Sequence, residues 1–220
     1  MKSNYFLFLV FFCGLLLGNA PAAANGLSVA EAESFAVEQG NNLLSFFAEK
    51  DIRTKYQKLD NLFLNYIDLD YISRFVVGKY WRQMTSEQQA KYGQLFKRYA
   101  VSVYKGFPLS FENRLSFEVT DSRKEGENAF VTVDIAYTSQ NGQATHFSVE
   151  FRMHKNKGKI MLTDIKIGES SLILSYRNKF YQMIKSADED MEWFLEDFEL
   201  TTVSAEKAYA LPEEDEKWKE

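Results

Sequence analysis

The sequence predicts an α+β domain in which helices lead, four antiparallel strands follow and helices return at the end. Three observations carry this. Apolar residues recur at helical spacing between Ser28 and Phe107, change to strict alternation after Pro108, and return to the helical period from Ser171. The alternating stretch has one polar face, so its apolar face must be covered by helices; a curled four-stranded sheet covered on one face and enclosing an apolar cavity is the expected architecture.

The N-terminus reads Met1-Lys2-Ser3-Asn4, then an apolar run from Tyr5 to Leu17, then small residues around Ala20-Pro21-Ala22-Ala23-Ala24. That is the layout of a cleavable secretory signal over residues 1–24, and the apolar run is shorter than the roughly 20 residues a bilayer span needs. The only cysteine, Cys13, lies inside it. The exported domain, expected over 25–200, therefore relies on its core without disulfides.

A first helix is expected from Ser28 to Lys50, with Phe35, Leu43, Phe46 and Phe47 among its apolar positions and a candidate break at Gly40. A second spans about Ile52 to Tyr66, with Tyr56, Leu59, Phe63 and Ile67 on one side. Asp68 caps a short third helix through Val77, and Gly78 suits the left-handed exit behind it. Thr85-Ser86-Glu87-Gln88 is a capping box that opens a helix running to about Phe107. Its stripe of Tyr92, Leu95, Phe96, Tyr99, Val103 and Phe107 is largely aromatic and is expected to be set against the apolar face of the sheet.

The strands are read from Leu115-Phe117-Val119, Val131-Val133-Ile135-Tyr137, Phe147-Val149-Phe151-Met153 and Met161-Thr163-Ile165-Ile167. Turns fall at Glu125-Gly126, Asn141-Gly142 and Asn156-Lys157-Gly158. The polar face carries Asp134, Ser148, Glu150 and Arg152. Ser171 to Ser186 forms another helix, through Leu172, Tyr176, Phe180 and Ile184, and Asp188 to Leu200 a last one, with Trp193, Phe194 and Phe198. Residues 201–220 end in an acidic run that reads as a disordered tail.

Little in the chain suggests catalysis. His146 and His154 share a strand about 25 Å apart, too far to hold one metal. The nucleophile elbow, the zinc-protease helix motif and the phosphate loop are absent, and the net charge of −5 argues against a nucleic-acid partner. Carboxylates remain: Asp68 and Asp70 read as helix caps, while Asp134 and Asp164 stand alone among strand residues. The 15 % aromatic content fits either a closed core or a cavity for an apolar ligand.

The run Asp70-Tyr71-Ile72-Ser73-Arg74-Phe75-Val76-Val77-Gly78-Lys79-Tyr80-Trp81, followed by Thr85-Ser86-Glu87-Gln88, Phe96 and Tyr104, resembles the MlaC, or toluene-tolerance, family of periplasmic phospholipid-binding proteins. Asp164-Ile165-Lys166-Ile167-Gly168-Glu169-Ser170-Ser171-Leu172 and Ser175-Tyr176-Arg177-Asn178-Lys179-Phe180 are similar to a second signature of that family, though Ile160 stands where it usually has Trp. The resemblance spans roughly Asp60 to Leu200. It implies a monomeric carrier without cofactor or metal, shuttling phospholipid between an inner-membrane ABC transporter complex and an outer-membrane lipoprotein–porin complex, and so maintaining outer-membrane lipid asymmetry.

On that reading the tail contacts are Phe75, Val76, Phe96, Tyr99, Val103 and Tyr104 from the helices and Val131, Val133, Ile135, Phe147, Val149 and Phe151 from the sheet. Ser171, Tyr176 and Arg177 are the candidates for the head group or an acidic partner. The alternatives are a cone-fold enzyme, similar to the nuclear-transport-factor group, using Asp164 or Asp134 for proton transfer, and a structural adaptor with a filled core.

Overall fold

The computed structural model describes residues 26–105, 115–138 and 144–208. The signal segment, Phe107 and Pro108, the Asn141-Gly142 turn and the acidic end of the chain lie outside them. The described residues form α1 (Val29–Phe47), α2 (Ile52–Tyr66), α3 (Leu69–Val77), a 3₁₀ turn (Gly78–Arg82), α4 (Ser86–Lys105), α5 (Leu172–Ser186) and α6 (Met191–Ala208). The strands are β1 (Leu115–Glu125), β2 (Asn128–Thr138), β3 (Ala144–Asn156), β4 (Lys159–Ile167) and β5 (Ser170–Ser171), in that order in one open antiparallel sheet.

Each helix starts on an oxygen-bearing side chain that takes up amides left without an intrahelical partner. Ser28 and Glu31 make a capping box for α1, and Asp51 accepts from the Thr54 amide at 2.7 Å. The Thr85 hydroxyl accepts from the Gln88 amide at 3.2 Å while the Gln88 carboxamide accepts from the Thr85 amide at 3.0 Å, the reciprocal pair expected from the sequence. Asp190 accepts from the amides of Glu192 and Trp193 at the start of α6.

Four expectations need correction. The sheet has a fifth strand: Gly168 turns the chain at φ 57° and Ser170–Ser171 pair back on Lys166 and Ile167, too briefly to show alternation. Gly40 does not break α1; it lets the helix lie against β1, since a Cβ there would sit 2.4 Å from the Phe117 ring. The last helix runs to Ala208, eight residues past the expected boundary, with Thr202 buried and donating to the Phe198 carbonyl at 2.8 Å. The fourth concerns α4, whose aromatic stripe packs on other helices rather than on the sheet.

The sheet's apolar face is built of cross-strand rows. Phe117, Ile135 and Phe147 are opposite one another, as are Val119, Val133, Val149 and Ile167, then Val131, Phe151 and Ile165, then Ala129, Met153 and Leu162. One core lies here, with Leu27, Ala32 and Phe35 from the start of α1 packed on Ala129, Val131, Val133 and Met153. A second, separate core is all-helical: Val76 and Tyr80, Tyr92, Phe96 and Tyr99 of α4, Phe180 of α5, and Phe194 and Phe198 of α6. Four amphipathic helices satisfy one another there, which is why α4 does not need the sheet.

The polar sheet face is exposed at Glu118 and Asp134, while α3 and the start of α5 meet it over β3 and β4. Ile67 forms a parallel bridge with Leu162, and Asp68 donates its amide to the Leu162 carbonyl at 2.9 Å, so the chain between α2 and α3 runs along the β4 edge. On the opposite edge β1 carries a bulge between Val119 and Asp121.

Candidate ligand-binding site

The cover over the apolar rows thins from one end to the other. Ala129, Val131 and Met153 are at most 1 % exposed and Val133 and Val149 4 %, but Phe147 reaches 39 % and Ile167 52 %. An apolar sheet face left open at one end is the opposite of what burial alone would select in a closed domain.

Above this face a cleft of about 320 Å³ opens between α1 and α2. Its lining includes the exposed carboxamides of Asn42, Asn61 and Asn65 and the half-buried one of Gln39, with buried Phe46 and half-buried Leu59, Leu62 and Tyr66. Tyr66 makes an edge contact of 5.2 Å with Phe35, a member of the sheet core, so the cleft floor is continuous with the apolar rows. At the rim Lys58 pairs with Glu49 at 2.8 Å, and this bond, with the Asp51 and Lys50 amides, holds the Glu49 carboxyl below the usual range. The layout is amphipathic: neutral amides outside, aromatic and aliphatic groups inside.

The cover itself is loosely held. No residue of α2 is buried, although Tyr56, Leu59, Leu62, Phe63 and Tyr66 all face inward and are half-buried. Its attachment to α4 is a ring contact of 4.3 Å between Phe63 and Tyr104, a bond from the Tyr56 hydroxyl to the Lys105 carbonyl at 3.1 Å, and the Lys105–Asp60 pair at 3.4 Å.

The residues singled out from the sequence divide into two groups that the fold keeps apart. Val131, Val133, Ile135, Phe147, Val149 and Phe151 share the sheet's apolar face. Val76, Phe96 and Tyr99 are buried in the helical core, with Phe75 and Val103 half-buried against it. Only Tyr104 leaves that group, turning to α2. Sequence reasoning missed α1 and α2 as walls; the available signal was the recurrence of amides, Gln39 and Asn42 on one helix and Asn61 and Asn65 on the next, at the helical spacing that puts each pair on one face.

Ser171, Tyr176 and Arg177 lie away from the cleft. Ser171 caps α5, accepting from the Leu174 amide at 3.2 Å and donating to Asp164 at 2.6 Å. Tyr176 meets the Tyr99 ring edge-on at 6.3 Å. Arg177 donates to the Phe75 carbonyl at 2.7 Å and to the Tyr181 hydroxyl at 2.9 Å, and its guanidinium stacks over the Phe75 ring. It satisfies the Phe75 carbonyl in the last turn of α3.

The candidate acids are likewise engaged. Asp164 accepts from the amides of Ile165 and Ile173 at 2.8 and 3.0 Å and from Ser171, which makes it the joint between β4 and α5. Asp134 is exposed on the polar face, bonded to Ser148. Neither is the inward, unpaired carboxylate that proton transfer would require.

The fold has a counterpart among solved structures. A phospholipid-binding protein from Ralstonia solanacearum, solved in complex with a phospholipid, aligns at a TM-score of 0.62 and 20 % identity, over 81 % of this chain and 99 % of that one. The family model described as MlaC protein matches residues 43–198, well over half the chain and the whole stretch from late α1 to α6. The chain belongs to the MlaC family.

Proposed function

We propose that the protein is a periplasmic phospholipid carrier, holding acyl tails against the apolar rows of β1–β4 beneath α1 and α2 and carrying lipid between the two membranes of a Gram-negative envelope. The observation that carries this is the apolar sheet face whose burial falls off from Met153 to Phe147, continuous with an amphipathic cleft under a helix that buries nothing. Tail methylenes are worth about 0.8 kcal/mol each when taken out of water, so an open apolar face is stabilised by a tail as no polar ligand could stabilise it. The family membership and the bound phospholipid of the Ralstonia protein point the same way. The tail contacts on this reading are Val133, Ile135, Phe147, Val149 and Phe151 with Phe117; Gln39, Asn42, Asn61 and Asn65 face the polar end.

A cavity of about 320 Å³ is at the small end for ligand sites, which run from about 300 to 1,000 Å³, so a two-tailed lipid requires α2 to lift. Its partners as a shuttle would be the inner-membrane ABC transporter complex and the outer-membrane lipoprotein–porin complex.

Native mass spectrometry with lipid extraction, on protein purified from the periplasm, tests the binding step. Near one phospholipid per chain is expected, and F147E, a change at an exposed position that leaves the fold intact, should remove most of it. A protein that arrives empty and takes no lipid from vesicles would overturn the reading.

A further inference from the structure

The side of α6 turned away from the helical core carries a feature that the lipid site does not use. The α6 sequence holds five acids, Glu192, Glu196, Asp197, Glu199 and Glu206, and one base, Lys207, a net −4 of the chain's −5. Glu199 and Glu206 are engaged with α4, through Lys91 at 3.0 Å and Arg98 at 2.7 Å, Glu192 accepts from the Gln88 carboxamide at 3.3 Å, and Glu192 and Glu196 share the field of Lys91. Glu196 and Asp197 are exposed, and they lie between two large apolar side chains at helical spacing, Trp193, 46 % exposed, and Leu200, 68 % exposed. Trp193 and Leu200 are two turns apart, about 10.5 Å along the axis, on one stripe.

Leu200 is the most exposed large apolar residue among those described. Trp is the residue most enriched at interface hot spots, and two exposed apolar anchors with acids between them offer a partner both apolar burial and a charge to complement. A second copy would bring the same acidic stripe against this one across a two-fold axis, which like charge opposes. The chain's own C-terminal run, Glu213-Glu214-Asp215-Glu216, is opposed in the same way. A basic surface is favoured.

We infer that the Trp193–Leu200 stripe of α6 is a docking surface for a protein partner that presents lysines and arginines around an apolar pocket. The inference goes beyond the carrier reading and does not need it, since the stripe is separate from the cleft between α1 and α2.

The test is a photo-crosslinking phenylalanine analogue in place of Ser204, an exposed position on the same stripe, in cells of the source organism with the full chain exported. The expected result is an adduct to one protein whose cross-linked peptide, mapped by mass spectrometry, is rich in Lys and Arg. W193A/L200A and E196K/D197K should each lower adduct yield at least about tenfold, the scale of a hot-spot loss. Both double variants should retain the wild-type lipid content, which separates failure of docking from failure of the carrier reading. No adduct, an adduct with a second copy of this chain, a neutral or acidic cross-linked segment, or an adduct that survives both double substitutions would each overturn the inference. All four substitutions are at exposed positions and are expected to leave the fold intact; should W193A/L200A unfold, the charge reversal alone decides.

Discussion

Asp68 joins three parts of the molecule through one carboxylate. Only 3 % exposed, it accepts from the Tyr71 backbone amide at 2.9 Å as the cap of α3, and its other oxygen meets His154 Nε2 and the Asn156 side-chain carboxamide Nδ2, both at 2.8 Å. Burial by itself would raise its pKa, yet the Tyr71 amide, Asn156 and His154 together hold it below the ordinary value. Its ionised form therefore adds stability above the unfolded carboxylate pKa of about 3.9, and that contribution is lost as pH falls through the lower folded value. D68N is expected to cost about 1–3 kcal/mol near neutral pH, with the difference from wild type shrinking below about pH 4, as urea unfolding at the two pH values would register. The cap was legible because it is local: the residue, its acceptor role and the helix all fall within four positions. Arg177 was not legible, because the Phe75 carbonyl that it engages is 102 residues away and no local pattern distinguishes that use from a phosphate contact.

Among the elements, α2 has the unusual property of being amphipathic while burying no residue. Little packing must be undone to move it, so its amides should exchange with solvent faster than those of α5, and phospholipid loading should slow α2 exchange while leaving α5 unchanged. Hydrogen-exchange mass spectrometry on loaded and delipidated protein measures both. Gly40 supplies a second element-level prediction. In G40L the added side chain occupies the space held by the Phe117 ring, which lies at the open end of the sheet face and can turn aside. Helix propensity improves by about 1 kcal/mol and offsets the displacement, so the expected loss is in lipid occupancy rather than in stability. The limits of α2 were read from the sequence to the residue, but its role was not, since the helical period reports which side is apolar and not how tightly a neighbour covers it. The same limit governed α4, whose aromatic stripe fits a sheet or a helix bundle equally well until Phe180, Phe194 and Phe198 are seen to meet it.

At the scale of the whole molecule, the described residues form a sheet core under α1 and a helical core of α3–α6, joined along β4. On the proposed carrier reading, stability and ligand binding fall in different places. Phe180 is fully buried at the centre of the helical core, within 6.3 Å of five other rings, and F180A is expected to cost about 3–5 kcal/mol in urea unfolding. Lipid per folded molecule should stay at the wild-type level in that variant, measured by extraction from the folded fraction. Alternation in the sequence was enough to find β1 to β4 and the face they share, because a period of two survives even where one end of the face is uncovered. The division into two cores was beyond it, since both are written in the same aromatic and aliphatic residues.

The edges of the sheet bear on how such a molecule survives at high concentration. A protein rich in aromatics, with an apolar sheet face open at one end, is at risk of recruiting strands from its neighbours. One edge is already occupied, β4 being flanked by Ser170–Ser171 at one end and by Ile67 at the other. The other, β1, is interrupted by its bulge after Val119 and carries Glu118, Asp121, Lys124 and Glu125 exposed along its length. A foreign strand would find no straight, uncharged template there, and the open apolar face stays available to a lipid without becoming a seed for aggregation.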